Sequence, residues 1–150
     1  MDVPTLTDDN TDELGGLNDI LGLRIRLAHG AVYRHFTDTF IDLGLTQKQV
    51  SALWLVADNP GISQIALGGR LRMDRATTMT IVNRLQERAY MRRERSTSDG
   101  RKQALYVTEA GAEALAEAKR CIGEHEAWLK GRFKDEEIEI LVDKLSRIHE

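Results

Sequence analysis

Helix N-cap residues recur at Thr46, Ser63, Asp74, Thr108 and Asp135, and between the third and the fourth the apolar period switches from helical to alternating. That punctuation constrains the fold more than any other feature of the chain. Thr46 followed three residues later by Gln49 has capping-box spacing, and Val50, Leu53, Trp54 and Ala57 supply the stripe of a helix closed by Asn59-Pro60-Gly61. Ser63 then caps a short helix, SQIALGGRL, and Asp74 caps DRATTMTIVNRLQERA. Two short helices with a tight connection predict a helix-turn-helix. Tyr90 to Ser96 and Lys102 to Val107 read as strands flanking Thr97-Ser98-Asp99-Gly100-Arg101, whose turn chemistry makes a hairpin, or wing.

The flanks are helical. From Leu14 to Gly44 the positions Leu17, Leu21, Ile25, Val32, Phe36 and Phe40 keep helical spacing, which predicts one long first helix. Gly22 and Gly30 inside it each cost about 1 kcal/mol relative to alanine, so a close contact or a kink is expected to compensate. After Thr108 a fifth helix runs to Phe133, and Asp135 caps a sixth with Ile138, Leu141, Val142, Leu145 and Ile148 on one face. The fold class is mainly α with a small β-hairpin. The expected division is a tail and first helix over residues 1–44, a helix-turn-helix and hairpin lobe over 45–107, and terminal helices over 108–150, folded as one domain.

Charge is concentrated where the period changes. Ten of the 21 Lys and Arg residues lie between Arg70 and Lys102 against four acids, a formal +6, while the remainder holds 11 bases and 20 acids. Such a field in an acidic chain suits a polyanion, although charge runs are more often solvated surface. On a wheel, Thr78, Ile81, Val82, Leu85 and Ala89 of the fourth helix form a core stripe, and Ala76, Thr80 and Asn83 face the other way, flanked by Arg75, Thr77 and Arg84. Small and hydrogen-bonding groups there fit a major groove about 12 Å wide. A partly polar surface helix has the same pattern, and the wing tips the balance towards DNA. Arg95, Arg101 and Lys102 are expected at the minor groove, with Asp99 orienting the turn. Arg93 is open between contact with DNA and a structural role paired to an acid.

From Leu45 to Ala114 the chain resembles the MarR family of winged helix-turn-helix transcriptional regulators, through LTQKQVSALWLV, DRATTMTIVNRLQERA and RRERSTSDGRKQALYVTEAG. Asp99, Arg101, Leu105, Thr108 and Gly111 match its D-x-R…L-x-x-T-x-x-G pattern. Three positions depart from it. Ala89 and Arg72 stand where glycine is common, so both turns are expected to manage without easy access to positive φ, and Gly68-Gly69 occupies a helix where alanine is usual at the first position. The resemblance implies a homodimer built from the terminal helices, placing two recognition helices roughly 10 bp apart on a near-palindromic site. It also implies repression relieved by a small effector.

Arg26, His29 and Tyr33 recur along one side of the first helix, with Trp54 on the second, and could hold an aromatic carboxylate or its CoA thioester. The alternative is a core histidine, core aromatics and a surface base. No cofactor and no metal site are expected; Glu124, His125 and Glu126 offer only a chance surface cluster. Cys121, the one cysteine, reads as a buried inert thiol. The N-terminus lacks a signal-peptide pattern, no apolar run approaches the roughly 20 residues a bilayer requires, and the expected location is cytoplasmic. There is no phosphate-binding glycine loop or nucleophile motif, so an enzyme is not expected. An architectural DNA-binding protein without an effector is the alternative to a regulator.

Overall fold

A computed structural model describes residues 14–95 and 103–150. A 3-10 turn over Gly15–Asp19 precedes six helices and one hairpin: α1 (Leu21–Thr39), α2 (Gln47–Asp58), α3 (Gln64–Arg70), α4 (Arg75–Glu87), β1 (Met91–Arg95), β2 (Gln103–Val107), α5 (Glu109–Lys130) and α6 (Asp135–His149). The described chain divides into two compact units that meet between His35 and Phe36, within α1.

In the first unit the expected continuous helix is interrupted. Gly15 adopts φ +54, and Ile20 is extended at φ −90, ψ 106, so the chain enters α1 only at Leu21. Gly15 and Gly16 open the 3-10 turn, where glycine gains least from helix formation. Arg24 Nη2 donates to Asn18 Oδ1 at 2.6 Å across the interruption. The compensation expected at the interior glycines is absent among the described residues: a Cβ on Gly22 would meet nothing within 4 Å, and one on Gly30 only the Arg34 guanidinium.

The second unit contains the core, in which Phe40, Leu53, Val56, Leu67, Val82, Leu85, Met91 and Leu105 are essentially inaccessible. Truncating any of these leucines costs about 2 to 5 kcal/mol. Phe36 and Phe40 stack at 4.1 Å between ring centroids and bring the end of α1 into this core. Helical structure stops at Thr39 rather than at Gly44, which takes φ +65 and turns the chain. Arg88 donates to the carbonyls of Gly44 at 2.7 Å and Leu43 at 3.2 Å, satisfying acceptors of the turn that follows α1.

The caps form as read, with one exception. Gln49 N donates to Thr46 Oγ1 at 3.2 Å and Thr46 N to Gln49 Oε1 at 3.0 Å, a complete capping box on α2. Ser63, Asp74 and Thr108 accept from the amides of Ala66, Thr77 and Gly111. Asp135 is instead the first residue inside α6, where Lys134 N donates to Glu137 Oε1 at 2.9 Å. The hairpin is antiparallel, with Arg93 opposite Leu105 and Arg95 opposite Gln103. Gly61 and Ile62 extend it through Gly61 N to Leu105 O at 2.8 Å and Leu105 N to Ile62 O at 2.9 Å.

The two turns that lack the usual glycine take positive φ nonetheless. Arg72 has φ +54 and Ala89 φ +61. After α3, Met73 N bonds to Gly68 O and Arg72 N to Gly69 O; after α4, Tyr90 N bonds to Leu85 O and Ala89 N to Gln86 O. Each is a Schellman motif with its left-handed position filled by a residue carrying a Cβ. Ala89 is therefore an exposed C-terminal turn residue, not part of the core stripe.

Candidate nucleic-acid interface

The start of α4 is fixed before its outer face is considered. Thr77 N donates to Asp74 Oδ1 at 2.7 Å, and this amide, then the Thr77 hydroxyl, holds the Asp74 carboxyl below the usual carboxylate range. Thr78, only 2% exposed, donates its hydroxyl to Asp74 O at 2.7 Å and lies against Gly68 of α3. A Cβ on Gly68 would come within 2.6 Å of Thr78 Oγ1, so that glycine permits the crossing of α3 and α4, while Gly69 faces open space. Thr78, Ile81, Val82 and Leu85 are buried.

The opposite face stays outside. Arg75, Ala76, Thr80, Asn83 and Arg84 are exposed and Thr77 is half-buried. Thr80 turns its hydroxyl back to Ala76 O at 3.0 Å, so its methyl is the group left outermost. Beside this face, Thr77, Thr80 and Arg84 border a cleft of about 370 Å³ shared with Thr46 and Lys48 of α2. Lys48 and Arg72 flank Thr77 again in a neighbouring cleft. Neither base is among the DNA contacts expected from the sequence, where Arg72 stands out only as a turn residue. A signal existed for Lys48, since a base in the first turn of a helix opposes the helix dipole and an anion beside it would relieve that.

The basic segment proves to be two populations. Arg93 donates from Nε to Gln64 Oε1 at 3.2 Å and from Nη1 to Gln86 Oε1 at 3.1 Å, tying the wing to α3 and α4. Its partners are amides, not the acid expected, because the acid on its own strand, Glu94, points to the other face and pairs with Arg92. Arg92 also lies 4.5 Å over the Tyr106 ring. Arg70 bonds Asn59, and Arg88 is committed to the turn after α1. Arg72, Arg75, Arg84 and Arg95 are exposed. Asp99, Arg101 and Lys102 lie outside the described residues.

Away from α4, Arg26, His29 and Tyr33 are exposed on α1, with the His29 and Tyr33 rings 6.4 Å apart, so His29 is not a core histidine. The buried histidine is His125, 5% exposed against Phe36 and Trp128, which removes it from a surface cluster with Glu124 and Glu126. Among the described residues no three histidine, cysteine or acidic groups converge as metal ligands. Cys121 is buried, and burial pushes its thiol up despite neighbouring Arg120. Trp54 is half-buried, with Lys119 Nζ 4.7 Å over its ring. Lys119 and Arg92 border a cleft of about 460 Å³ floored by Val56, Val107 and Leu115. No helix among the described residues is long and apolar enough to cross a membrane.

The MarR family model matches residues 45–102. A putative transcriptional regulatory protein for the hcr operon of Thauera aromatica is 30% identical over 136 residues, spanning 90% of this chain and 82% of that protein. The chain belongs to the MarR family. It is a DNA-binding transcriptional regulator and not an enzyme. The transcriptional repressor CouR, solved bound to a 23-mer DNA duplex, superposes with a TM-score of 0.87 at 29% identity, over 91% of this chain and 97% of that one. PcaV of Streptomyces coelicolor, solved with its natural ligand, shares the fold at a TM-score of 0.80 and 23% identity, over 89% and 94% of the two chains.

The described part of the MarR motif has a structural reason at each position. Leu105 is wholly buried. Thr108 caps α5 and also donates to Ala89 O at 2.6 Å, joining the wing exit to the turn after α4. A Cβ on Gly111 would sit 2.0 Å from Tyr90 O, so no other residue fits.

Proposed function

We propose that this MarR-family chain is a repressor that binds a near-palindromic operator as a homodimer and is released by a small anionic effector. The observation carrying this reading is the outer face of α4, where Ala76, Thr80 and Asn83 stand exposed between Arg75 and Arg84 on a helix fixed at its cap and core. Thr77, Thr80 and Asn83 read base edges, Arg75 and Arg84 grip phosphate or guanine, and Arg95, Arg101 and Lys102 extend the contact along the wing. CouR, a repressor solved on DNA, supports the sign of regulation. The dimer accounts for α6, which buries none of its residues and exposes Ile140, Leu141, Val142, Leu145 and Ile148. Residues 1–44 and 108–150 would then supply dimerisation segments around the DNA-binding lobe of residues 45–107.

The effector is an aromatic carboxylate or its CoA thioester. The cleft bordered by Lys119 and lined by Val56, Val107 and Leu115 has room for the aromatic acid part, and Lys119 offers a cation for an anionic group. Arg26, His29 and Tyr33, with Trp54, are a second set of candidate contacts. Calorimetry with a panel of such acids and thioesters on Lys119→Ala, Arg26→Ala and His29→Ala separates the two. Linkage requires that a ligand weaken DNA binding by the factor by which DNA weakens ligand binding. Selection of preferred duplexes from a randomised pool tests the DNA reading: Thr80 and Asn83 variants should change the preferred sequence, and Arg101→Ala should lower the salt slope by about one unit. An unchanged preferred sequence in both α4 variants refutes the assignment of that face.

A further inference from the structure

The reading face of α4 is flanked by a large apolar side chain that the core does not use. Met79 lies one turn after Arg75 and one turn before Asn83, and it is 50% exposed. Ile65 of α3, 65% exposed, borders with it a cleft of about 280 Å³ that Met73 and Arg75 also line. Next to Met79, Ala76 offers only a methyl, and Thr80 offers its methyl because its hydroxyl is engaged by Ala76 O at 3.0 Å. The first turns of the helix therefore present apolar groups to a surface where Asn83 is the main hydrogen-bonding reader.

Exposed apolar groups on such a surface gain free energy only against another apolar group. In the major groove, the apolar group that distinguishes one base pair from another is the C5 methyl of thymine. We propose that Met79, together with the methyls of Ala76 and Thr80, is a specificity determinant that selects thymine by burying its C5 methyl. This rests on α4 being the recognition helix. A protein partner seated on Ile65 and Met79 would use the same patch but would leave DNA binding indifferent to that methyl.

The test uses the full chain and a duplex selected by it from a randomised pool, at fixed salt. Each thymine is replaced in turn by deoxyuridine, which removes the methyl and keeps every hydrogen-bonding group. At one or two positions per half-site, affinity should fall about four-fold per methyl lost. Met79→Ala should abolish that sensitivity at one position and Thr80→Ser, which keeps the hydroxyl, should abolish or halve it at the neighbouring one. Indifference to deoxyuridine at every position overturns the proposal, as does the same sensitivity in both variants as in the parent. A parallel selection on Asn83→Ala separates the two levels of failure. A changed preferred sequence without methyl dependence rejects the thymine assignment alone, whereas an unchanged sequence rejects α4 as the reader as well.

Discussion

Ala89→Gly should stabilise this protein, although the substitution removes a side-chain atom and adds no contact. Ala89 holds φ +61 in the Schellman turn after α4, where its amide reaches Gln86 O at 2.9 Å and its carbonyl accepts from Thr108 Oγ1 at 2.6 Å. Those bonds fix the turn, so the chain cannot relax out of the left-handed region. A Cβ there costs roughly 1 to 2 kcal/mol. Glycine removes that cost but gains about 0.5 to 1 kcal/mol of freedom in the unfolded chain. The difference favours the variant by about 0.5 to 1 kcal/mol. For a chain of this length that raises Tm by about 1 to 4 °C. Denaturant unfolding and calorimetry at matched protein concentration measure it, since an associating chain has a concentration-dependent Tm. Ala89→Val, β-branched at the same φ, should lie on the other side of the parent. A neutral or destabilised Ala89→Gly would mean the turn is not strained, and the argument from φ would fail.

The neighbouring glycines should separate cleanly. Gly69→Ala, with open space at its Cβ, is expected to stabilise by up to about 1 kcal/mol, and Gly68→Ala to destabilise by about 1 to 3 kcal/mol because the Thr78 hydroxyl it would meet is buried and already bonded. Asp74 has its carboxyl held below the ordinary range in the folded state, chiefly by the Thr77 amide. Its contribution is therefore complete above the unfolded-state value and lost as pH falls through the folded one, so stability measured from neutral pH to about pH 3 should drop less steeply in Asp74→Asn. Cys121 should react slowly with thiol reagents in the native protein and at the ordinary rate once unfolded, since burial raises its thiol.

Much of this architecture was legible because its signals are local. The caps at Thr46, Ser63, Asp74 and Thr108 each need only an acceptor and an amide two or three residues on, and all four form. The misreadings came from competition that no local pattern expresses. The apolar spacing from Leu14 to Gly44 is helical throughout, yet Ile20 is extended and the helix ends at Thr39, breaks that apolar spacing does not encode. Arg72 and Ala89 make positive φ costly, yet each closes a pair of carbonyls that the ending helix must satisfy, and those bonds outweigh the cost of a Cβ. The outward face of α4 followed from periodicity alone, whereas Lys48 joined it only through the folding of α2 alongside.

The bases between Arg70 and Lys102 share one net charge but not one structural situation. Arg70, Arg88, Arg92 and Arg93 are held by Asn59, the carbonyls of Leu43 and Gly44, Glu94 and two glutamines. Only Arg92 among these is neutralised by an acid, so the others keep their charge while losing their freedom to reach. They contribute to long-range attraction of a polyanion, which depends on charge, and not to close contact, which depends on extension. The same segment thus separates two tasks. On the proposed reading, the fixed cations would add to the attraction of DNA while Arg93 holds α3, α4 and the hairpin together, and exposed Arg72, Arg75, Arg84 and Arg95 would be left to make contacts. Replacing a fixed cation such as Arg93 should consequently cost both stability and affinity, while replacing an exposed one should cost affinity alone.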